Sequence, residues 1–456
     1  MSTTGNINAG QLDPAFGHLG RLNLPDAFSG GVTSVLAGPE GTFFVAGTSV
    51  HRNESGDVIA TEYVIAKFSG DGVLDTRFGV GGVLVGNFAP GTNEANYATL
   101  FKQGDHLLVS GKEGYNKGVA FAAARLTLQG QLDKSFGNNG VCLFQLEDIV
   151  GETKAELHFN VMSAMADDGK ILLAAGLYYP DGAYHPIVVR LTADGALDRS
   201  WDGRGYKVIV VEQPGALFSR LYGLHADGQK IIVSANYDTP PNATSDKNYM
   251  ARFEADGSID RSFGVEGLFL FPPVPERVSS IGVDGECFPF SAKSEVADDK
   301  VWPLLRIVSS GTTGAAPHYL ATGTKFREDP RTWAGIVIGL DEDGQYDRYF
   351  NDGKAVIVDP DAEGAYINQC VVQTGSDTFI IAVGSRDTGT LISRYTPDGK
   401  LDRAFGNEGY VILVRNGAYL PILTTFPAII STPSYQRLLI NFWDEKGRLV
   451  IEAYTV

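Results

Sequence analysis

Short runs rich in β-branched and aromatic residues follow one another along the chain, and almost none has helical spacing of its apolar positions. The runs come in groups of four, separated by Gly-rich turns. Two successive groups cover 82–88, 96–101, 106–111 and 119–128, then 141–145, 157–165, 170–177 and 187–191. Four antiparallel strands that recur about every 60 residues are typical of the blades of a β-propeller.

A motif, Gly-x-Leu-Asp-x-x-Phe-Gly-x-x-Gly, returns between these groups and is most complete at 130–140. Its aspartates are Asp13, Asp75, Asp133, Asp198, Asp260, Asp347 and Asp402. A Gly stands three residues before each Asp and an aromatic residue three after it. A basic residue stands eight before five of them, at Lys67, Arg125, Arg190, Arg252 and Arg394. The copy around Asp347 departs most, with Gly339 at the basic position.

Each position of the motif has a structural interpretation. Gly permits the positive φ of a tight turn, and Asp accepts bonds from the amides that follow it. The Leu and the aromatic residue would pack against the sheet, and the basic residue could pair with the Asp. A ring of seven carboxylates that binds metal or substrate is the functional alternative. We favour the structural role because a residue present in every unit builds the unit.

The motif count predicts an all-β fold, a seven-bladed β-propeller of four-stranded antiparallel blades that forms one domain over 1–456. The predicted blade units are 21–82, 83–140, 141–205, 206–267, 268–354 with a long insertion at 272–300, 355–409 and 410–456. The last unit lacks a following motif, so residues 10–20 are expected to close the ring. A ring of this kind is stable only when each repeat packs on its neighbours.

The signature Arg-Leu-x-x-x-Gly-x-Leu-Asp-x-x-Phe-Gly at 125–137 resembles the delta-60 repeat family of bacterial β-propellers. The resemblance covers nearly the whole chain. It implies the architecture, and it implies no activity that can be transferred to particular residues.

The composition limits the classes of partner. The net charge of −17 argues against binding to nucleic acid or to anionic membranes, which requires basic patches. The sequence begins without a signal peptide and contains no apolar run long enough for a membrane helix, which predicts a cytoplasmic or leaderless secreted protein. Three cysteines are too few for a disulfide framework.

One face of the predicted ring should carry function. The motif turns and the tight turns at 38–41, 104–105, 167–169 and 227–228 share one face, whereas long dissimilar loops share the other. Loops on a rigid scaffold commonly carry binding residues. The candidate ligand-binding residues on this side are Tyr178, Tyr179, His185, Tyr237, Arg327 and Trp333. The alternative is that each of them only covers the apolar edge of a blade.

No nucleophile elbow, phosphate loop or zinc motif occurs, and no cofactor is predicted. Asp359, Asp361 and Glu363 resemble the start of a calcium loop, but Cys370 stands where the final Glu should be. The first functional hypothesis is a non-enzymatic binding propeller for a protein or a carbohydrate. The alternatives are a hydrolase or lyase that acts on a sugar or lactone in the central funnel, and a structural module of a larger assembly.

Overall fold

The computed structural model describes residues 9–456 except 90–93, 115–118, 152–153, 211–218, 238–246, 272–280, 284–285, 289–300, 310–316, 329–330, 359–365, 374–377, 387–388 and 415–426. Nearly all regular structure is β, and it forms seven four-stranded antiparallel sheets. The predicted seven-bladed β-propeller is confirmed. Each inner strand contacts its counterparts in neighbouring sheets, which closes the ring around an axis.

The blades take their strands in chain order, inner strand first. Blade 1 has β2 (Val32–Ala37), β3 (Phe43–Arg52), β4 (Val58–Phe68) and β5 (Val83–Gly86). Blade 2 has β6 (Ala95–Gln103), β7 (His106–Glu113), β8 (Ala120–Thr127) and β9 (Val141–Gln145). Blade 3 has β10 (Glu156–Met165), β11 (Ile171–Tyr178), β12 (Tyr184–Leu191) and β13 (Tyr206–Val208). Blade 4 has β14 (Leu221–Asp227), β15 (Lys230–Tyr237), β16 (Lys247–Phe253) and β17 (Leu268–Phe271).

The remaining blades continue this order. A separate hairpin of β18 (Ile281–Val283) and β19 (Glu286–Phe288) lies in the long insertion. Blade 5 has β20 (Val301–Ser309), β21 (Tyr319–Glu328), β22 (Arg331–Leu340) and β23 (Val356–Val358). Blade 6 has β24 (Tyr366–Gln373), β25 (Phe379–Arg386), β26 (Gly389–Tyr395) and β27 (Tyr410–Val414). Blade 7 has β28 (Ala428–Ser431), β29 (Gln436–Trp443), β30 (Leu449–Thr455) and, as its outer strand, β1 (Arg21–Asn23). Short helices cover Pro39–Gly41, Leu146–Val150 (α1) and Asn351–Gly353.

The sheets begin one strand later than the units drawn from the sequence. The strand that follows each motif pairs with the strand before it, as β5 pairs with β4, so it is the outer strand of the same blade. The physical reason is that the motif reverses the chain within a sheet, whereas the longer loops cross from one blade to the next.

The two ends of the chain meet in blade 7. Strand β1 pairs antiparallel with β30, with Arg21 opposite Glu452. Ahead of it, the Gly10 amide donates to the Thr455 carbonyl at 2.7 Å, and the Asp13 amide donates to the Ala453 carbonyl at 2.8 Å. The start of the chain thus supplies the edge that the last sheet would otherwise expose.

The core consists of seven apolar clusters, one in each seam between neighbouring blades. The aromatic residues of the motif lie in these seams and are at most 1% exposed: Phe16, Phe78, Phe136, Trp201, Phe263, Phe350 and Phe405. Burying a large aromatic side chain stabilises a fold by about 2–3 kcal/mol. The motif therefore supplies one large apolar group to every seam.

The motif also links consecutive blades through the backbone. The amide just after each motif aromatic donates to a carbonyl in the next motif turn, at 2.6–3.1 Å. The seven bonds are Gly17 to Asp71, Gly79 to Gln129, Gly137 to Asp194, Asp202 to Asp256, Gly264 to Asp343, Asn351 to Asp398 and Gly406 to Ala9. Together they form a closed circuit around one face, which we name the corner face.

Each motif Asp forms the Asx-type turn that its sequence indicates. Its Oδ1 accepts from the amide two residues later, as Asp133 does from Ser135 at 3.0 Å. In the five copies with a basic residue eight positions earlier, Oδ2 pairs with that residue, as Asp133 does with Arg125 Nε at 2.7 Å, whereas Asp347 has Gly339 at that position. Asp13 has no such residue in its own strand, and Arg437 in β29 takes that place at 2.5 Å. Among the described residues, no helix is long and apolar enough to cross a membrane.

Candidate functional site

The face opposite the corner face carries the loops between blades and the loops between second and third strands, and we name it the loop face. At this face, the seam between blades 3 and 4 gathers ionisable and aromatic side chains. Strands β10, β11 and β12 supply Glu156, His158, Tyr178 and Tyr184 from blade 3. We name this group the blade 3 cluster.

His158 is the last paired residue before a bulge in the inner strand of blade 3. Register with β11 runs from His158 opposite Gly176 to Met162 opposite Ala174, so β10 advances four residues where β11 advances two. The inner strands of five other blades shift register in the same way, so the bulge belongs to the repeated scaffold. Because residues alternate between the two faces of a strand, Glu156 and His158 both point toward blade 4.

His158 is the centre of the blade 3 cluster. Its ring stacks on Tyr178 with centroids 4.9 Å apart, and Tyr184 approaches it edge-on at 5.9 Å. Its Nε2 lies 3.4 Å from Glu156 Oε2. The His158 side chain remains 34% exposed and that of Glu156 20% exposed. A held but accessible imidazole can exchange a proton with a bound molecule.

Tyr184 lies deeper in the seam, with only 2% of its surface exposed. Its hydroxyl occupies the space that a side chain on Gly176 would need, since a Cβ there would come within 1.8 Å of the oxygen. Burial raises the pKa of Tyr184 above its usual range, and the charge of Arg220 acts weakly in the opposite direction. The phenol therefore keeps its proton near neutral pH.

Blade 4 fixes the other wall of the seam. The Ser219 amide donates to the Tyr184 carbonyl at 2.8 Å, and the Ser219 hydroxyl bonds the Tyr249 hydroxyl at 3.0 Å. The Arg220 amide donates to Asn236 Oδ1 at 3.0 Å. These bonds hold the entry to β14 against blade 3 and place the exposed Arg220 beside Tyr184.

A second set of polar groups lies on the opposite side of β10, in the seam between blades 2 and 3. Lys112 is buried, and its Nζ donates to the Leu157 carbonyl at 3.2 Å. Burial lowers the pKa of Lys112 to about 8. A lysine from blade 2 thus holds the start of β10.

The structure distributes the predicted ligand-binding residues unevenly. Tyr178 belongs to the blade 3 cluster, and Tyr179 and His185 stand on the other side of the same hairpin with ring centroids 6.1 Å apart. Burial lowers the pKa of His185, and its Nδ1 has no hydrogen-bond partner. Tyr237 is fully buried in the apolar cluster between blades 3 and 4, which removes it from the surface. Arg327 and Trp333 occupy facing strands β21 and β22, but their side chains lie outside the described part.

Sequence reasoning did not single out His158, Glu156 or Arg220. Glu156 and His158 stand two residues apart on β10, a spacing that any strand can have, and Arg220 comes from the next blade, so no motif relates the three. Asp359, Asp361 and Glu363 lie outside the described residues. Within the described part, no group of three or more His, Cys, Asp or Glu side chains could hold a metal ion.

The corner face carries one further polar group, between blades 4 and 5. Asp227 accepts hydrogen bonds from the Tyr319 hydroxyl and from His318 Nε2, the latter at 3.2 Å. Arg252 in turn donates to the Tyr319 hydroxyl at 3.1 Å. Each of these side chains is hydrogen-bonded to another of the group, so we interpret the group as stabilising the seam between blades 4 and 5.

Comparison with known proteins gives one family match and several similar folds. The model of the β-propeller family described as a domain of unknown function, DUF5122, matches residues 166–200 and 226–263. No curated protein matches the sequence. Among solved structures, the polysaccharide lyase Uly1 shares 9% identity at a TM-score of 0.44, covering 96% of this chain and 93% of that one. A PL25 ulvan lyase shares 12% identity at a TM-score of 0.41, covering 99% of this chain and 94% of that one. A GH43_1 enzyme from Xanthomonas citri shares 11% identity at a TM-score of 0.30, covering 79% of this chain and 87% of that one.

These neighbours are enzymes, which contradicts the first hypothesis drawn from the sequence, a non-enzymatic binding propeller. The repeat motif misled that hypothesis because it reports on the scaffold alone. At such low identity the similarity concerns the fold, so an activity has to come from this chain's own residues. The chain is a seven-bladed β-propeller, and two of its stretches, 166–200 and 226–263, match a β-propeller family model.

Proposed function

We propose that the protein is an enzyme that cleaves a saccharide, as a lyase or a hydrolase, at the loop-face seam between blades 3 and 4. The observation that carries this proposal is the accessible His158, held between Tyr178 and Glu156. Cleavage of a glycosidic bond requires one proton to be taken and another to be given. The blade 3 cluster holds groups of both kinds.

The residues divide these roles by their environment. His158, with a carboxylate oxygen 3.4 Å from its Nε2, takes a proton from the substrate or from water. Tyr184, which is protonated near neutral pH, gives a proton to the leaving oxygen. Tyr178 offers a ring face on which the apolar side of a sugar can pack. A hydrolase mechanism that uses two opposed carboxylates is less well supported, since the described residues bring one carboxylate, that of Glu156, to His158.

The test is a screen of purified protein against a panel of acidic and neutral polysaccharides, with two readouts. New reducing ends report cleavage, and ultraviolet absorbance reports the unsaturated sugar that only a lyase releases. We expect His158→Ala to lower the rate by about 100-fold or more, as for loss of a general acid–base group.

His51→Ala is the matched control. His51 also lies on the loop face with a Glu62 oxygen 2.9 Å from its Nε2, but in blade 1. We expect it to keep activity within about twofold, since surface substitutions rarely perturb distant sites. Absence of cleavage across the panel, or full activity of His158→Ala, would overturn the proposal.

We further propose that the chain is a delta-60 repeat propeller. The support is that all seven motif copies build the same Asx turn, and that their linking amides form one circuit. An alignment of homologues that kept Gly, Asp and the aromatic in every copy would support the assignment. Homologues in which single copies lack these residues without compensation would count against it.

A further inference from the structure

Gly176 lies inside strand β11, where the backbone does not call for a glycine. Its φ is outside the left-handed region, whereas the motif glycines, such as Gly195, have a positive φ. A glycine within a strand weakens it, because the flexible residue loses more conformational entropy on folding and has no side chain to pack. The missing side chain at this position therefore points to a neighbour that needs the space.

That neighbour is Tyr184. The three atoms nearest to a Cβ built on Gly176 are the hydroxyl oxygen, Cζ and Cε1 of Tyr184, all closer than 3.0 Å. These atoms form the rigid tip of one phenol ring. Because Tyr184 is only 2% exposed, the ring cannot turn aside into solvent without leaving the seam. A larger residue in place of Gly176 would therefore displace the phenol.

The strand register places the tip of this ring beside His158. Tyr184 is opposite Tyr178 in the pairing of β11 with β12, yet its hydroxyl lies over Gly176, two residues away on the same face of β11. On its other side, Gly176 is opposite His158 in β10. The Tyr184 ring meets the His158 ring edge-on at 5.9 Å. The space over Gly176 thus lets the hydroxyl reach across β11 toward the imidazole.

Blade 1 contains the same arrangement with a phenylalanine as the ring partner. A Cβ on Gly86, at the end of β5, would come closer than 3.0 Å to the Tyr63 hydroxyl, and the φ of Gly86 is not positive either. The Tyr63 ring packs on Phe88 with centroids 5.1 Å apart. A glycine beneath the tip of a tyrosine can therefore serve packing alone. What distinguishes Gly176 is the imidazole on the adjacent strand.

We propose that Gly176 is a positioning residue for the proposed cleavage, because its missing side chain keeps open the space in which the Tyr184 phenol reaches His158. The inference rests on the proposed function and adds the residue that sets the geometry between its proton donor and its proton acceptor. A methyl group at this position pushes the phenol away and leaves Tyr178 in place as the sugar platform. Substrate binding then persists, while proton transfer to the leaving oxygen becomes slower.

A double-mutant cycle in activity tests the inference. Gly176→Ala should lower kcat about 10-fold or more and change KM by less than about twofold, since a small misplacement of a reacting group slows chemistry more than binding. Tyr184→Leu removes both the phenol and the three atoms that the added Cβ would meet. In the Tyr184→Leu background, Gly176→Ala should cause no further loss of kcat. The same fold loss in both backgrounds would overturn the inference.

The same cycle in thermal unfolding requires no activity. Gly176→Ala should lower the melting temperature of the otherwise unchanged protein, because the methyl group overpacks the seam. It should not lower the melting temperature of Tyr184→Leu, in which the ring tip is gone. Additive losses would show that Gly176 does not act through Tyr184, and they would overturn the inference whether or not the protein cleaves a polysaccharide.

Gly86→Ala is the matched control, because it forces a methyl group against Tyr63 in blade 1. It should lower the melting temperature about as much as Gly176→Ala does and keep kcat within about twofold. Equal losses of kcat in the two variants would trace the effect to lower stability and overturn the inference, while the requirement for His158 stands. If the unchanged protein cleaves no polysaccharide of the panel, the proposed function falls and the positioning role falls with it.

Discussion

At the scale of single residues, the motif glycines allow both the positive φ of a tight turn and close packing against the neighbouring blade. Gly195 has φ of +89°, and a Cβ there would lie 2.8 Å from the ring of Phe136, the aromatic of the preceding motif. The sequence shows that Gly recurs, and a tight turn explains a positive φ. It does not show the second demand, close packing on the neighbouring blade, because the partner ring lies 59 residues away along the chain, from 136 to 195.

Two glycine substitutions separate the effect of backbone strain from the effect of close packing. Gly182 has a similar φ of +92°, but nothing lies within 4 Å of its added Cβ. We expect Gly182→Ala to cost about 1 kcal/mol from backbone strain, and Gly195→Ala to cost about 3 kcal/mol because overpacking is added. Urea unfolding measures both. Equal losses in the two variants would show that the close contact with Phe136 is unimportant.

The motif carboxylates predict a pH dependence of stability. Hydrogen bonds from Arg77 and from Ser135 hold the pKa values of Asp75 and Asp133 at about 2, below the ordinary value of 3.8. A depressed folded-state pKa stabilises the fold above the unfolded pKa, and this contribution disappears as pH falls from about 4 to about 2. The melting temperature should drop steeply across that window. Asp133→Asn should flatten part of the drop, and an unchanged slope would contradict this assignment.

At the scale of elements, the turn between third and outer strand is the unit that repeats. In blade 7 its parts come from both ends of the chain. Arg437 is 3% exposed and bonds Asp13, which is fully buried. It also bonds the Gly70 carbonyl and Asp71 in the next motif turn. The sequence predicts the seven motif turns, but it gives no sign that Arg437, on a different strand, completes the turn at Asp13.

Removing this cation should be costly. Arg437→Met leaves the Asp13 carboxylate buried without its ion pair, a change that typically costs about 3–5 kcal/mol. Arg403→Met breaks the exposed pair with Glu408 at 3.2 Å and should cost less than about 1 kcal/mol. Denaturant unfolding compares the two variants. A loss below 1 kcal/mol for Arg437→Met would mean that the ring closes without this bridge.

At the scale of the whole molecule, the ring is closed by backbone pairing of residues 10–23 with β30. Periodicity and the motif were enough to predict the fold and the number of blades. They could not locate the site, because Glu156 and His158 lie on β10 whereas Tyr178 and Tyr184 lie on β11 and β12. The pairing of these three strands brings the side chains together, and the sequence does not show which residues pair.

Closure predicts that the first 23 residues stabilise the entire ring. Deleting them exposes the edge of β30 and opens the amide circuit between Gly406 and Ala9. We expect one cooperative transition at a melting temperature lower by about 10 °C or more, since each repeat depends on its neighbours. Deleting only residues 1–8 is the control and should have little effect. An unchanged melting temperature after the longer deletion would refute closure by these residues.

The most direct measurement of the central claim is a crystal structure of His158→Ala with an oligosaccharide of the best-cleaved polymer. The account predicts a sugar in the loop-face seam between blades 3 and 4, with its scissile bond beside position 158 and Tyr184. A sugar bound only at the corner face or at another seam would contradict it.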